Sequence, residues 1–155
     1  MQIHIIAIGE RMPDWVEAAY EEYAKRLPHE CRLALREIPA GKRTKGADLA
    51  RLTRDEGARQ LEAIPAGARI VALDLGGREL DTRQLAERLE RQLAAGQDLA
   101  LLIGGPEGLA PECLAAAHER WALSKLTLAH PVVRVVLAEQ LYRAWSILRN
   151  LPYHR

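Results

Sequence analysis

Several short strings in this chain combine residue types suited to holding a small ligand and an anion. Gly104-Gly105-Pro106-Glu107-Gly108 follows an apolar run, Leu99–Ile103. Glycine carries no Cβ, so the main chain at Gly104 can come close to a bound molecule. A second string, Leu123-Ser124-Lys125-Leu126-Thr127-Leu128, is mainly apolar with interspersed hydroxyls and leads into Ala129-His130-Pro131. Its side chains could enclose a flat ring such as adenine while its backbone groups read the ring edge. A third, Leu73-Asp74-Leu75, runs into Gly76-Gly77. Lys42, Arg43 and Lys45 crowd residues 39–46, a stretch with two glycines and little to bury. Such a loop is either a solvated connection or a mobile arm that grips phosphates. The terminal Tyr153-His154-Arg155 sets a planar ring, an acid–base group and a cation in succession.

Each string also has a plain structural reading. The glycine string is a tight strand-to-helix turn, 121–128 a core strand with its exit, His130 a structural hydrogen-bonding residue, and the tail a frayed end. Some chemistry is excluded outright. No Gly-Lys-Ser/Thr follows the glycines, so there is no phosphate-binding P-loop, and the pattern is not GxGxxG. No His/Cys/Asp/Glu cluster has metal-ligand spacing, so no metal is expected. No Ser or Cys sits in a nucleophile elbow. Cys31 and Cys113 stand far apart and suggest neither a disulfide framework nor a zinc site.

These strings need a framework that brings them together. A length of 155 residues suits one domain, 1–155, able to bury a real core. Formal net charge is +1, but residues 120–155 carry six cations, Arg120, Lys125, Arg134, Arg143, Arg149 and Arg155, against one acid, Glu139. A local positive field recruits anions whatever the total. The start of the chain lacks a secretory pattern and no run is long enough for a membrane span, so a cytoplasmic protein is expected. Aromatics are few and form no repeated stacking pattern on strands, which argues against a single-stranded RNA platform of the recognition-motif type. Apolar patterning predicts strands at 2–8, 32–38, 69–75, 99–103 and 121–126. Helices are predicted from Asp14 to about Leu27 with Trp15, Ala18, Ala19 and Tyr23 on one face, and at 47–63, 81–95, 111–119 and 132–148. Gly76-Gly77 is read as breaking the third strand, Asp81 with Gln84 as a capping box, and Gly96 as a helix terminator. Strictly alternating elements predict an α/β fold, a mostly parallel sheet with helices on both faces, whose ligands sit beyond the carboxyl ends of the strands. The last helix is apolar nearly all round, which predicts a second copy covering part of it, a two-fold homodimer.

The strings LLIGGPEGL, LSKLTLAHPVVRVVLAEQLYRAWSI and PYHR, with MPDW near the start and EIPAGKR, closely resemble the bacterial 23S ribosomal RNA pseudouridine N3-methyltransferases of the SPOUT class. The likeness covers essentially the whole chain in order. It implies a SPOUT fold with a C-terminal trefoil knot, a homodimer, S-adenosylmethionine as cofactor, and methylation of N3 of pseudouridine 1915 in 23S rRNA on the assembled ribosome. It implies a cofactor site at Leu73, Gly104, Leu123, Ser124, Lys125, Leu126, Thr127 and Leu128. For the reaction, in-line placement of N3 and removal of its proton are required. The candidates are Arg143 and Arg155 as electrostatic stabilisers, His154 as base or hydrogen-bond partner, Tyr153 stacking on the base, and His130 positioning the loop or substrate. Lys42, Arg43 and Lys45, with the arginines of the last helix, Arg134 and Arg143, are the expected RNA phosphate contacts. A non-catalytic ribosome-binding protein, or a relative acting on another RNA position, are the rival expectations.

Overall fold

The computed structural model describes residues 1–154; the candidate Arg155 lies outside them. Five strands, β1 Gln2–Ile8, β2 Arg32–Ile38, β3 Arg69–Glu79, β4 Leu99–Ile103 and β5 Glu119–Ala122, form one sheet in the order β2-β1-β4-β3-β5. Every pairing is parallel. Alternate side chains leave opposite faces of a strand. Ile3, Ile5 and Ala7 of β1 and Leu99, Leu101 and Ile103 of β4 therefore face one layer, while Ile6, Ile8, Ala100 and Leu102 face the other. The first layer holds α1 Asp14–Ala24, α3 Thr82–Ala95 and α5 His130–Leu148. The second holds α2 Leu49–Glu62 and α4 Pro111–Ala116.

Local signals explain the helix ends. The Asp81 carboxylate accepts from the Gln84 amide at 2.8 Å while Gln84 Oε1 accepts from the Asp81 amide at 2.9 Å, which closes the capping box. Gly96 takes the left-handed conformation that ends α3. Asp48 caps α2 through the Arg51 amide.

Three expectations are corrected. Trp15 is 59% exposed, and α1 instead buries Val16 and Tyr20; Asp14 is its first residue, not its cap. Gly76-Gly77 does not break β3: the strand runs on to Glu79 through a bulge, with the register against β5 shifting between Leu73 and Arg78. The fifth strand covers only 119–122, so residues 123–128 are an irregular loop, and α4 stops at Ala116. The chain itself covers part of α5, which lies on the sheet between α1 and α3 and buries Leu137, Ala138, Leu141, Ala144 and Trp145. Val132, Val133, Val135 and Val136 stay half-exposed.

Candidate functional site

Because β4, β3 and β5 are neighbours in a parallel sheet, their carboxyl ends open on the same edge. A cleft of about 590 Å³ lies there, walled by Leu73, Asp74 and Leu75, by residues 103–109, by residues 121–129 except Lys125, and by His130 and Val133 of α5. The sheet thus gathers Leu73, Gly104, Leu123, Ser124, Leu126, Thr127, Leu128 and His130. Lys125 is exposed on the same loop but does not line the cleft. Asp74, Leu75, Glu107 and Val133 are additional wall residues, set by adjacency to the strings already noted.

The glycine string closes on itself. The Gly108 amide donates to the Gly105 carbonyl at 3.0 Å, with Gly108 at a φ of +80°. A Cβ on Gly104 would collide with the Gly108 carbonyl carbon and stand 2.6 Å from the Leu109 nitrogen. The missing Cβ therefore serves the loop's own closure, not only a ligand's approach. The opposite wall behaves differently. In residues 124–128 the Leu126 amide donates to Ser124 Oγ at 2.9 Å, while the amides of Lys125, Thr127 and Leu128 find no partner among the described residues. Apolar side chains beside unpaired amides suit a flat heterocycle with polar edges.

His130 sits where the cleft meets the β1–α1 connection. Burial first, and the Arg134 charge second, hold its imidazole below the ordinary range, so it is neutral at neutral pH. Arg134 is 1% exposed; it donates to Glu37 Oε2 at 2.6 Å and to the Gly9 carbonyl at 2.8 Å, which pins the first turn of α5 to the ends of β1 and β2.

The tail lies elsewhere. Residues Pro152–His154 form a 3-10 turn against the second half of α5. The Tyr153 ring meets Tyr142 edge-on at 4.7 Å, Arg143 lies 4.9 Å over it, and its hydroxyl donates to Glu139 Oε1 at 3.2 Å. Burial, then the Glu139 charge, push the phenol up to about 12. Arg143 is itself paired with Glu139, Nε to Oε1 at 2.8 Å. His154 Nδ1 is buried and has no hydrogen-bond partner among the described residues. At 1.5 Å per residue, the helix separates His130 from Arg143 by about 20 Å. One chain does not bring Tyr153, His154 and Arg143 into its own cleft. In the 39–46 loop, Lys42 and Lys45 are exposed, whereas Arg43 is bound to Glu56 and Glu107. Sequence reasoning missed Glu56 and Gln60, both buried and polar, whose spacing on one helix face was the only available signal, and the expectation that Arg134 contacts phosphate is corrected, because it is buried and held by Glu37 and Gly9.

An all-parallel α/β sheet with a ligand-sized cleft at its carboxyl edge, walled by a closed glycine loop and an apolar loop with unpaired amides, defines an open α/β fold with a small-molecule site at its strand ends. The model of the family described as "Predicted SPOUT methyltransferase" matches residues 1–154, and this chain belongs to the SPOUT methyltransferase family. It is 62% identical, over all of its length and 99% of the relative's, to the Ribosomal RNA large subunit methyltransferase H of Thioalkalivibrio sulfidiphilus (strain HL-EbGR7). It is 56% identical to the protein of the same name from Methylococcus capsulatus, over the full length of both. Among solved structures, a probable methyltransferase from Bordetella pertussis Tohama I shares the fold at a TM-score of 0.57 and 16% identity, covering 92% of this chain and 95% of that one. A probable methylase family protein from Haemophilus influenzae Rd KW20 does so at 0.57 and 15%, covering 99% and 70%.

Proposed function

We propose that residues 1–155 act as a single catalytic domain that transfers the methyl group of S-adenosylmethionine to N3 of pseudouridine 1915 in 23S rRNA, in the cytoplasm and on the assembled ribosome. The supporting observation is the meeting of three adjacent strand ends at one cleft, in a chain aligned end to end with relatives named as methyltransferases of large-subunit ribosomal RNA.

The residues present fit the cofactor. Leu73, Leu123, Leu126 and Leu128 offer apolar walls, the amides of Thr127 and Leu128 offer donors for a ring edge, and Gly104 shapes the facing loop. When bound, the cofactor supplies a methyl group already activated on a positively charged sulfur. The chain's own residues must then orient the base, exclude water and take up the N3 proton. His154, whose buried Nδ1 has no partner among the described residues, is the proposed proton acceptor. Tyr153 remains a neutral phenol and orients the base by stacking. Arg143 and Arg155 stabilise the developing anion. His130, uncharged, holds the loop before α5, and the exposed Lys42 and Lys45 contact RNA phosphates.

With the tail about 20 Å along α5 from its own cleft, the proposal places it in a partner's cleft, within a two-fold homodimer. The half-exposed valines of α5 suit a second copy. The return of the chain from β5, at the sheet edge, to α5 between α1 and α3 suits a segment drawn through a loop as a trefoil knot.

Large ribosomal subunits from cells lacking the enzyme test the activity. Incubation with the protein and labelled S-adenosylmethionine should place a methyl on pseudouridine 1915, read by mass mapping; a methyl at another position would overturn the reading. Mixed dimers test the architecture. A Gly104→Ala protomer joined to one lacking residues 152–155 leaves one intact cleft facing one intact tail only if the tail acts across the dimer. At a donor concentration too low to load the Gly104→Ala cleft, activity in that mixture, with neither parent active alone, is the expected result; an inactive mixture would place the tail in its own cleft.

A further inference from the structure

The 39–46 loop carries three cations, and one of them is unlike the other two. All five N–H groups of the Arg43 guanidinium are engaged. Nη1 donates to Glu56 Oε2 at 2.6 Å and to the Gly41 carbonyl at 2.9 Å. Nη2 donates to Glu56 Oε1 at 2.8 Å and to Glu107 Oε2 at 2.7 Å, and Nε reaches Glu107 Oε2 at 3.2 Å. A guanidinium has no sixth donor to offer a phosphate. Its main partner is not a surface acid. Glu56 is 3% exposed and also accepts from the Gly41 amide at 2.7 Å. A buried carboxylate stripped of its cation is heavily penalised, so Arg43 cannot swing out to solvent at low cost.

The other end of this contact is the GGPEG loop itself. Glu107 lines the cleft, and a Cβ on Gly105 would lie 3.8 Å from Arg43 Nη2. The helix bearing Glu56 braces the same loop at two further points. Gln60 Nε2 donates to the carbonyls of Ile6 and Ile103, each at 3.0 Å, at the strand ends beneath the loop. Gly57 lets α2 come so close that a Cβ would stand 2.5 Å from the Ala110 Cβ, where the loop passes into α4.

We propose that Arg43 is a positioning residue for the methyl-donor cleft, clamping Glu107 to the buried Glu56 and so setting the GGPEG wall, and that it is not an RNA contact. The inference rests on the reading of the cleft as the cofactor site. Lys42 and Lys45, which flank it in the loop, keep the phosphate-binding role. Lysine in place of Arg43 keeps the charge but not the planar fork that spans two carboxylates.

Calorimetry with S-adenosylmethionine, beside binding to large ribosomal subunits, separates the two roles. If the unaltered protein does not bind S-adenosylmethionine, the functional reading fails and the clamp is not at issue. If it binds, Arg43→Lys should weaken donor affinity about tenfold, with ribosome affinity held within about twofold. Glu107→Gln, on an exposed loop and so safe for folding, should weaken donor binding in the same direction. The double variant should be no weaker than Arg43→Lys alone, because both changes break one contact. Lys42→Gln/Lys45→Gln should instead weaken ribosome binding. Unchanged donor affinity in Arg43→Lys and Glu107→Gln, strictly additive losses in the double variant, or a fall in ribosome affinity for Arg43→Lys as large as that of the two-lysine variant would each overturn the proposal.

Discussion

Gly104 is the residue at which the cleft is least able to adapt. An added Cβ meets main-chain atoms of Gly108 and Leu109, and main chain cannot move aside as a flexible side chain can. Gly104→Ala should therefore open the loop and lower S-adenosylmethionine affinity by about tenfold or more, while thermal stability falls only modestly because the loop lies outside the core. Calorimetry and a melting curve on the same sample check this; donor affinity equal to the parent's would show that the loop accommodates a methyl group. The neighbouring Gly108, at a φ of +80°, makes the same string intolerant of side chains for a conformational reason. Such glycines could be read in the sequence because few other roles explain three of them in five positions. So could the tail, whose three side chains differ in chemistry. Glu56, Gln60 and Arg134 could not. On a helix, a polar residue in the sequence reads as solvent-facing, and only three-dimensional packing shows Gln60 capping two strand ends or Arg134 buried at 1% exposure. Arg43 shows the same blindness in a loop: its charge was evident from composition, its five hydrogen bonds to Glu56, Glu107 and Gly41 were not.

Elements decide where those residues point, and β3 is the instructive one. Its third-strand run was expected to end at Gly76-Gly77, on the rule that paired glycines punctuate structure. Instead the strand continues, because Gly77 allows β3 and β5 to approach until a Cβ would lie 2.7 Å from the Arg120 carbonyl carbon and 2.8 Å from its oxygen. The bulge carries the irregular register between Leu73 and Arg78, so Leu73 faces the cleft while Arg78 resumes pairing with Trp121. Gly77→Ala should push the strands apart and cost about 1–3 kcal/mol of stability, with a parallel loss of donor binding through Leu73. Urea denaturation measures the first effect, and an unchanged midpoint would mean that the bulge relaxes freely. Apolar patterning located every β-strand and α-helix, the amphipathic ones by a clear face and β4 and α5 by a continuous apolar run. It placed the ends of β5 and α4 poorly, since residues 123–128 are apolar for the sake of a cleft rather than a core. A ligand wall and a buried strand have the same composition, and the sequence alone does not separate them.

At the scale of the whole molecule, buried or half-buried carboxylates tie the layers together and make the fold sensitive to acid. Glu56 joins the 39–46 loop to the cleft wall. Glu119 joins Arg69 of β3, at 3.1 Å, to Arg88 of α3, at 2.9 Å. Asp98 accepts from the Gln2 amide at 2.9 Å and meets His4 at 3.2 Å. For Glu56 and Glu119 burial works to raise the pKa, but the arginine hydrogen bonds outweigh it and both are lowered; Asp98 is lowered chiefly by the Gln2 amide. A carboxylate with a lowered pKa in the folded state binds fewer protons there than in the unfolded chain. Its stabilisation is complete above the ordinary carboxylate range and is lost as pH falls through and below it. His130 adds a smaller effect of the same sign at higher pH. Its lowered pKa means that the unfolded chain takes up a proton first, so stability begins to fall as pH drops below its ordinary 6.5. The expected melting temperature is thus level from pH 8 to about 7, declines gently below about 6.5, and drops steeply below about 4.5. His130→Gln should remove the gentle limb while leaving the steep one. Glu119→Gln should lower the melting temperature at neutral pH and shallow the steep limb, because the charge it removes is the one acid would neutralise. Scanning calorimetry across that range is the measurement. A melting temperature that rose on acidification from pH 7 to 4 would show that carboxylate repulsion, rather than these ties, dominates the charge balance of the fold.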